Sequence, residues 1–350
     1  MKISLTHLLT YSLIVLYAAP SAAYEYDVGF AKFKLTGYGS TAAMITDGGA
    51  GLSGGGGYFD NENIYNTSDF KIRGQVSRDD YGVIYSLDRL ALDDKQFARD
   101  LFGYYDIGYG RFEFGQTDAV SVKMALGLPD VGGLRANDSA LFIIGAPSDG
   151  YVTGTRYSPR VSFASKMQEK WQWGASAAAF GKGFDSAFDV GIKYKDPYSK
   201  FKTSYSVGLS YIDSPHGMIT ENGLPSVYAD SRSTVALATN MQYNSFVFGA
   251  FARTVYDVNP QTIFRTDGIN GGAGISYDLL AFSVSLSYMY SNTNVWGTAN
   301  SGAIGMGENH AAFSSLRYKF SGYIDAWITG GFSDVENWTP FGALGLRVTF

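Results

Sequence analysis

The sequence predicts an all-β chain, a sixteen-stranded antiparallel transmembrane β-barrel with its apolar faces turned outward. Three observations lead there. Many segments alternate apolar and polar residues with period 2. The connections between them alternate long and short. The composition is rich in aromatic residues and glycine, with 26 Tyr, 24 Phe and 43 Gly against 9 Pro and no Cys. Glycine without proline suits strands joined by tight turns rather than disorder or collagen.

The alternation fixes the strands. In order they are expected at 32–45, 68–77, 81–91, 99–107, 110–117, 151–165, 171–181, 187–195, 201–212, 230–243, 245–256, 267–277, 281–292, 308–320, 322–334 and 341–350. The clearest is FSVSLSYMY, where Phe282, Val284, Leu286, Tyr288 and Tyr290 share one face and Ser283, Ser285 and Ser287 the other. In FKTSYSVGLSY, Phe201, Tyr205, Val207, Leu209 and Tyr211 stand against Lys202, Ser204, Ser206 and Ser210. In AFDVGIKYK, Phe188, Val190, Ile192 and Tyr194 stand against Asp189 and Lys193. A helix would need period 3.6, which these segments lack.

Long connections fall near 46–67, 92–98, 118–150, 182–186, 213–229, 257–266, 293–307 and 335–340. Short ones fall near 77–80, 108–110, 166–170, 195–200, Asn244, 278–280 and 321–323. This order describes an up-and-down meander with turns on one rim and loops on the other. In water, a barrel of this size would enclose a space too wide for side chains to fill. Turning the apolar face to lipid and the polar face to a water-filled lumen removes that difficulty. Closure also satisfies every backbone hydrogen bond where no water is present. The last ten residues, FGALGLRVTF, keep their alternation to the end, as expected of a strand paired on both edges.

The chain opens with Lys2, an apolar run from about Leu8 to Ala19, and small residues at Ser21 and Ala23. This pattern reads as a signal peptide over residues 1–23, leaving a barrel domain over 24–350. The apolar run is shorter than a membrane span requires. Removing residues 1–23 takes one Lys and no acid, leaving 26 basic and 32 acidic residues, a net charge of −6. That argues against a nucleic-acid partner, which would need a clustered basic excess.

Four features resemble the general diffusion porins of Gram-negative outer membranes. They are the signal peptide, the terminal strand LGLRVTF with its final Phe350, RYSPRVSF at Arg156–Phe163, and LPDVGG at Leu128–Gly133. The last two resemble the family's strand after the third loop and a stretch of that loop. The resemblance spans essentially the whole chain after residue 23. It implies a trimer of sixteen-stranded barrels, each with a third loop folded inward to narrow the pore. It further implies Phe350 as a signal read by the barrel-assembly machinery, and a bacterial outer-membrane location among lipid and lipopolysaccharide.

The 118–150 segment is the longest without period 2, and a loop of that length in a compact structure is usually functional or disordered. If it folds inward, Asp118, Asp130 and Asp138 are candidate acids of the constriction, with Asp130 matching the family's acidic loop residue. Alternation assigns Lys34, Lys71, Arg73, Arg111, Arg156 and Arg160 to the inner wall. A Lys or Arg facing lipid at mid-membrane would cost about 2–4 kcal/mol, so the inner face is the cheaper placement. Acids facing bases across a narrow aqueous gap would set ion preference.

No cofactor or metal is expected. GAGLSG at 49–54 matches a phosphate-loop pattern, but no helix pattern follows it. DNEN at 60–63 lacks the ligand spacing of a calcium loop. His7 leaves with the leader, and His216 and His310 fall in or beside loops, so a hydrolase is not expected. The function expected is passive diffusion of ions and small hydrophilic solutes. The alternatives are a substrate-specific channel, for example for sugars, and a non-conducting surface adhesin or receptor barrel.

Overall fold

The structure is a computed structural model that describes residues 24–46, 64–88, 100–129, 131–132, 158–179, 184–214, 216–218, 227–228, 230–258, 265–296, 307–334 and 338–350. The expected leader and the GAGLSG and DNEN segments lie outside these residues.

A short strand comes first, β1 (Tyr24–Asp27). The first half of the wall is β2 (Lys32–Thr46), β3 (Ile64–Arg78), β4 (Tyr81–Asp88), β5 (Asp100–Ile107), β6 (Gly110–Gln116), β7 (Pro159–Ser165), β8 (Trp171–Ala178), β9 (Ser186–Asp196) and β10 (Lys202–Asp213). A small separate pair, β11 (His216–Met218) and β12 (Val227–Tyr228), follows. The wall resumes with β13 (Ser231–Tyr243), β14 (Phe246–Val258), β15 (Arg265–Leu279), β16 (Phe282–Trp296), β17 (Gly307–Lys319), β18 (Ile324–Asp334) and β19 (Trp338–Thr349). A short helix, α1 (Val120–Met124), lies between β6 and β7.

Every wall strand pairs antiparallel with its neighbour in sequence, β10 with β13, and β19 with β2. The sixteen wall strands therefore close into a barrel, as the alternation predicts. Closure leaves no open edge for another chain to pair with. The short turns gather at one rim. Four of them have two residues, after Arg78, Ile107, Tyr243 and Leu279. Asp79, Asn244 and Leu280 take left-handed backbone angles there, with φ of 45, 52 and 52°. Such angles match a tight hairpin to the twist of its strands.

The two faces differ as the sequence requires. Val284, Leu286 and Tyr288 are exposed, while Ser283, Ser285, Ser287 and Met289 between them are buried. The same contrast separates Tyr205, Leu209 and Tyr211 from Ser206 and Ser210. Toward the turn rim the outward face carries a chain of touching rings. Phe112 meets Phe163 with centroids 4.9 Å apart, Phe163 meets Trp173 at 5.3 Å, and Trp171 meets Tyr194 at 4.7 Å. Phe201–Tyr243, Phe246–Tyr277 and Phe282–Tyr318 continue it at 5.0, 4.5 and 4.7 Å. An apolar exterior edged by aromatic rings is the surface a barrel presents to a bilayer and its boundary.

The first and last described strands lie along one edge of β2. β19 pairs with Tyr38–Thr46 of β2, and Phe350 extends that ladder by exchanging two backbone hydrogen bonds with Gly37, at 2.8 and 2.9 Å. β1 takes up the same edge of β2 at Lys32–Leu35, running in the same direction as β19. The ring of Phe350 covers Gly37, where a Cβ would fall 2.5 Å from it.

Candidate functional site: a segment strapped across the polar face

After β6 the chain does not return at once to the wall. Residues 117–132, of which all but Asp130 are described, run against the polar faces of successive strands. Val120 N–H approaches Ser176 Oγ of β8 at 3.4 Å, and Ser121 N–H donates to Asp189 Oδ1 of β9 at 2.8 Å. Leu126 N–H donates to Ser206 Oγ of β10 at 3.2 Å, and Val131 N–H to Ser285 Oγ of β16 at 3.1 Å. Gly132 sits against Ser315 of β17 and Thr329 of β18, whose hydroxyls bond each other at 2.8 Å. The strand alternation that puts hydroxyls on one face thus supplies acceptors for a segment that has few internal hydrogen bonds of its own. Each such bond is worth about 1 kcal/mol net, and leaving its buried N–H orphaned would cost more.

Apolar contacts complete the seat. Leu126 packs with Ala238, Phe251, Met289, Ala311, Phe313 and Phe341, and Leu128 lies against the same cluster. Glycines in the wall make room. A Cβ at Gly249 would stand 2.6 Å from Pro129 Cδ, and one at Gly191 would stand 3.1 Å from Ser121 Cα and the Val120 carbonyl oxygen. A side chain at Gly191 would meet the strap's backbone and one at Gly249 its proline ring, so neither position takes a Cβ without displacement.

Beneath α1 lies a buried ion pair. Arg160 of β7 and Asp189 of β9 are 3.3 Å apart, with side chains 1% and 3% exposed. Ser176 accepts from Arg160 at 3.1 Å and also bonds Asp189. Asp189 therefore serves three partners: the guanidinium, a wall hydroxyl and the helix backbone. Charges this deep are tolerated only when paired and hydrogen-bonded.

The sequence-derived candidates separate into groups. Lys34, Lys71, Arg73, Arg111 and Arg160 all belong to the polar face. Arg160 is sealed under the helix, so its charge meets Asp189 and, more remotely, Asp118. Asp118 is half-buried and engaged. Arg111 makes a two-pronged bond to Asp106, both contacts at 2.7 Å, and stacks 4.0 Å from the Tyr104 ring. Lys34 pairs with Glu25 of β1. Arg73 is exposed. Asp130, Asp138 and Arg156 lie outside the described residues. Lys123, which the alternation could not place, pairs with Glu113 and lies 5.0 Å from the Phe102 ring. Asp189 was legible as a polar-face residue, but nothing local to β9 announced its partner 29 positions earlier.

Among the described residues no group of three or more His, Cys, Asp or Glu side chains could hold a metal. His310 stands on the outer surface of β17, its Nδ1 2.6 Å from the Tyr288 hydroxyl.

Comparison with known proteins turns on this fold. No protein-family profile matches the chain, and no curated protein matches it in sequence. Solved structures do match. A porin refined at 1.8 Å superposes with a TM-score of 0.59 at 14% identity, covering 91% of this chain and all of that one. OmpT, an outer membrane protein of Vibrio cholerae, gives 0.61 at 11% identity, covering 94% of this chain and all of the other. Salmonella typhi OmpF, solved with daunomycin, gives 0.61 at 11% identity, covering 93% and 100%. The likeness shows the fold. At these identities it carries over the architecture of outer-membrane barrels and no residue roles.

Proposed function

We propose that this chain is an outer-membrane porin, a water-filled channel through which ions and small hydrophilic solutes diffuse passively. The observation that supports it best is the strap at residues 117–132. A segment bonded to polar-face groups of β8, β9, β10 and β16 is what an inward-folded third loop requires, and it would narrow the bore without closing it. Exposed Lys34 and Arg73 on the same face suit a hydrated lumen. In this reading residues 1–23 direct export and are removed, Phe350 is read during assembly, and three copies associate within the lipid and lipopolysaccharide of the bacterial outer membrane.

The test is single-channel recording of the purified protein in a planar bilayer, with reversal potential in a salt gradient. Stable conductance steps, grouped in threes, are expected. A folded barrel that passes no current would refute the channel reading and favour a surface receptor or adhesin. Saturable sugar block would instead identify a substrate-specific channel.

A further inference from the structure

We propose that the turn-side mouth of the barrel gathers small anions, solutes carrying phosphate or carboxylate groups, on a sector of the wall formed by β9 and β10. The inference rests on the channel reading, because it concerns what that channel passes. Its basis is three lysines on the strap's side of the wall. Gly191 of β9 faces the strap, and so does Ser206 of β10, which accepts from Leu126 N–H. Alternation places Lys193 and Lys195 on the face of Gly191, and Lys202 on the face of Ser206. Lys193 comes about 7 Å and Lys195 about 13 Å beyond Gly191 along the strand, toward the turns. A solute that has passed the strap therefore meets these side chains on its way to the turn rim.

The neighbours of these cations set the sector apart. Around the rest of the turn-side mouth, arginines stand beside acids. Arg111 is opposite Asp106 in the ladder, Arg347 is opposite Asp325, and Arg317 lies 4.0 Å from Asp278. In β9 and β10 the ladder neighbours are neutral. Lys193 lies between Gln172 and Ser206, Lys195 is opposite Ser204, and Lys202 is opposite Gln242. The adjoining hairpin of β13 and β14 carries no acid over residues 236–252. Two acids come near, and both have cations of their own. Asp196 is held by Lys170 at 2.9 Å and accepts the Tyr198 N–H, and Glu169 shares its turn with Lys166 and Lys170. Lys195 and Lys202 are exposed and Lys193 is half-buried. A patch of one sign at the mouth of a low-dielectric bore focuses its field and raises the local concentration of the opposite charge. Lysine suits this use, since its compact ammonium on a flexible stem attracts an anion without fixing it in one geometry.

The experiment records current against voltage for the full folded barrel in planar bilayers, in potassium chloride. At about 10 mM salt, where charges act over about 30 Å, wild type is expected to pass about twofold more current at one polarity than at the other. At about 1 M, where they act over about 3 Å, the asymmetry is expected to vanish. The double variant Lys193→Gln with Lys195→Gln is expected to lose most of the low-salt asymmetry and to shift the reversal potential toward cation preference. Arg78→Gln with Lys200→Gln removes the same charge from exposed positions at the turn rim and is expected to behave as wild type. Unchanged asymmetry in the β9 variant overturns the proposal, as does an equal loss in the rim variant, which would reduce the effect to net charge. If the β9 double variant does not fold, Lys195→Glu reverses one charge at an exposed site and must lower the asymmetry; an unchanged ratio overturns the assignment. A second readout is independent of current: phosphorus NMR of inorganic phosphate with the folded barrel in micelles at low salt. Wild type is expected to broaden the signal more than the β9 variant does, and equal broadening overturns the proposal. Broadening that depends on these lysines in a barrel that passes no current would retain the surface and reject the channel.

Discussion

Asp189→Asn would expose how much of the strap depends on the pair beneath it. The amide keeps the volume of the carboxylate and can still accept the Ser121 N–H. It cannot balance the Arg160 guanidinium, which is 1% exposed and has no route to water. Removing one partner of a buried ion pair typically costs about 3–5 kcal/mol. The lower end applies here, because the charge of Asp118 also reaches Arg160. A loss of about 3 kcal/mol is therefore expected, read as a shift in the midpoint of denaturant unfolding in micelles at unchanged slope. Replacing both partners, with Arg160→Met and Asp189→Leu, removes the uncompensated charge and should recover most of the loss. The bilayer readout is separate: with its anchor weakened, α1 should fluctuate, and open-channel noise should rise in Asp189→Asn. A single variant within about 1 kcal/mol of wild type, or a double variant no more stable than the single, would refute the claim that this pair is desolvated and coupled.

Four further outcomes follow from the same geometry. Gly249→Ala places a Cβ 2.4 Å from Asn240 Oδ1 and 2.6 Å from Pro129 Cδ, so the strap must shift. Conductance should change and stability fall by about 1–3 kcal/mol, whereas Gly103→Ala, with nothing nearer than 3.8 Å, should leave conductance unchanged. Ser285→Ala removes the acceptor of Val131 N–H, and hydrogen exchange at that amide should accelerate while amides in β2 stay protected. Lys170, in the turn between β7 and β8, is held above its ordinary pKa by its hydrogen bond to Asp196. Its contribution is present below the ordinary lysine value and is lost as pH rises through the raised one. The melting difference between wild type and Lys170→Gln should therefore vanish only in strong alkali. Deleting Phe350 removes two backbone hydrogen bonds and the ring over Gly37, and the yield of membrane-inserted, folded barrel should drop; normal yield would rule out its assembly role.

Much of the fold could be read from the chain because a half-buried strand writes its two faces into alternate residues. The expected strand at 281–292 begins one residue before β16, and that at 32–45 ends one residue short of β2. Errors fall where alternation fades. β15 runs two residues past the expected strand at each end, and its glycine-rich middle, NGGAGIS, declares no face from which to extend the pattern; β8 ends at Ala178, short of the expected 181. β1 was missed, since four residues carry no period, and α1 was missed because five residues complete little more than one turn. The candidate site was legible by face and not by partner. Period 2 puts Arg160 and Asp189 on the polar side, but only the register of β7, β8 and β9 brings them together. Nor could it show that Gly191 faces the backbone of Val120 and Ser121, or that Gly249 faces the ring of Pro129.

The strap also changes how the wall holds together. In a simple barrel each stave touches only the two beside it, so a disturbance must travel around the circumference stave by stave. Here Ser121, Leu126, Val131 and Gly132 connect β9, β10, β16, β17 and β18 through a single short stretch of chain. Like a tie-rod in an arch, it makes distant staves share strain. Loosening at β9 should be felt at β18 without passing through the strands between, and the two halves of the wall should open as one cooperative unit.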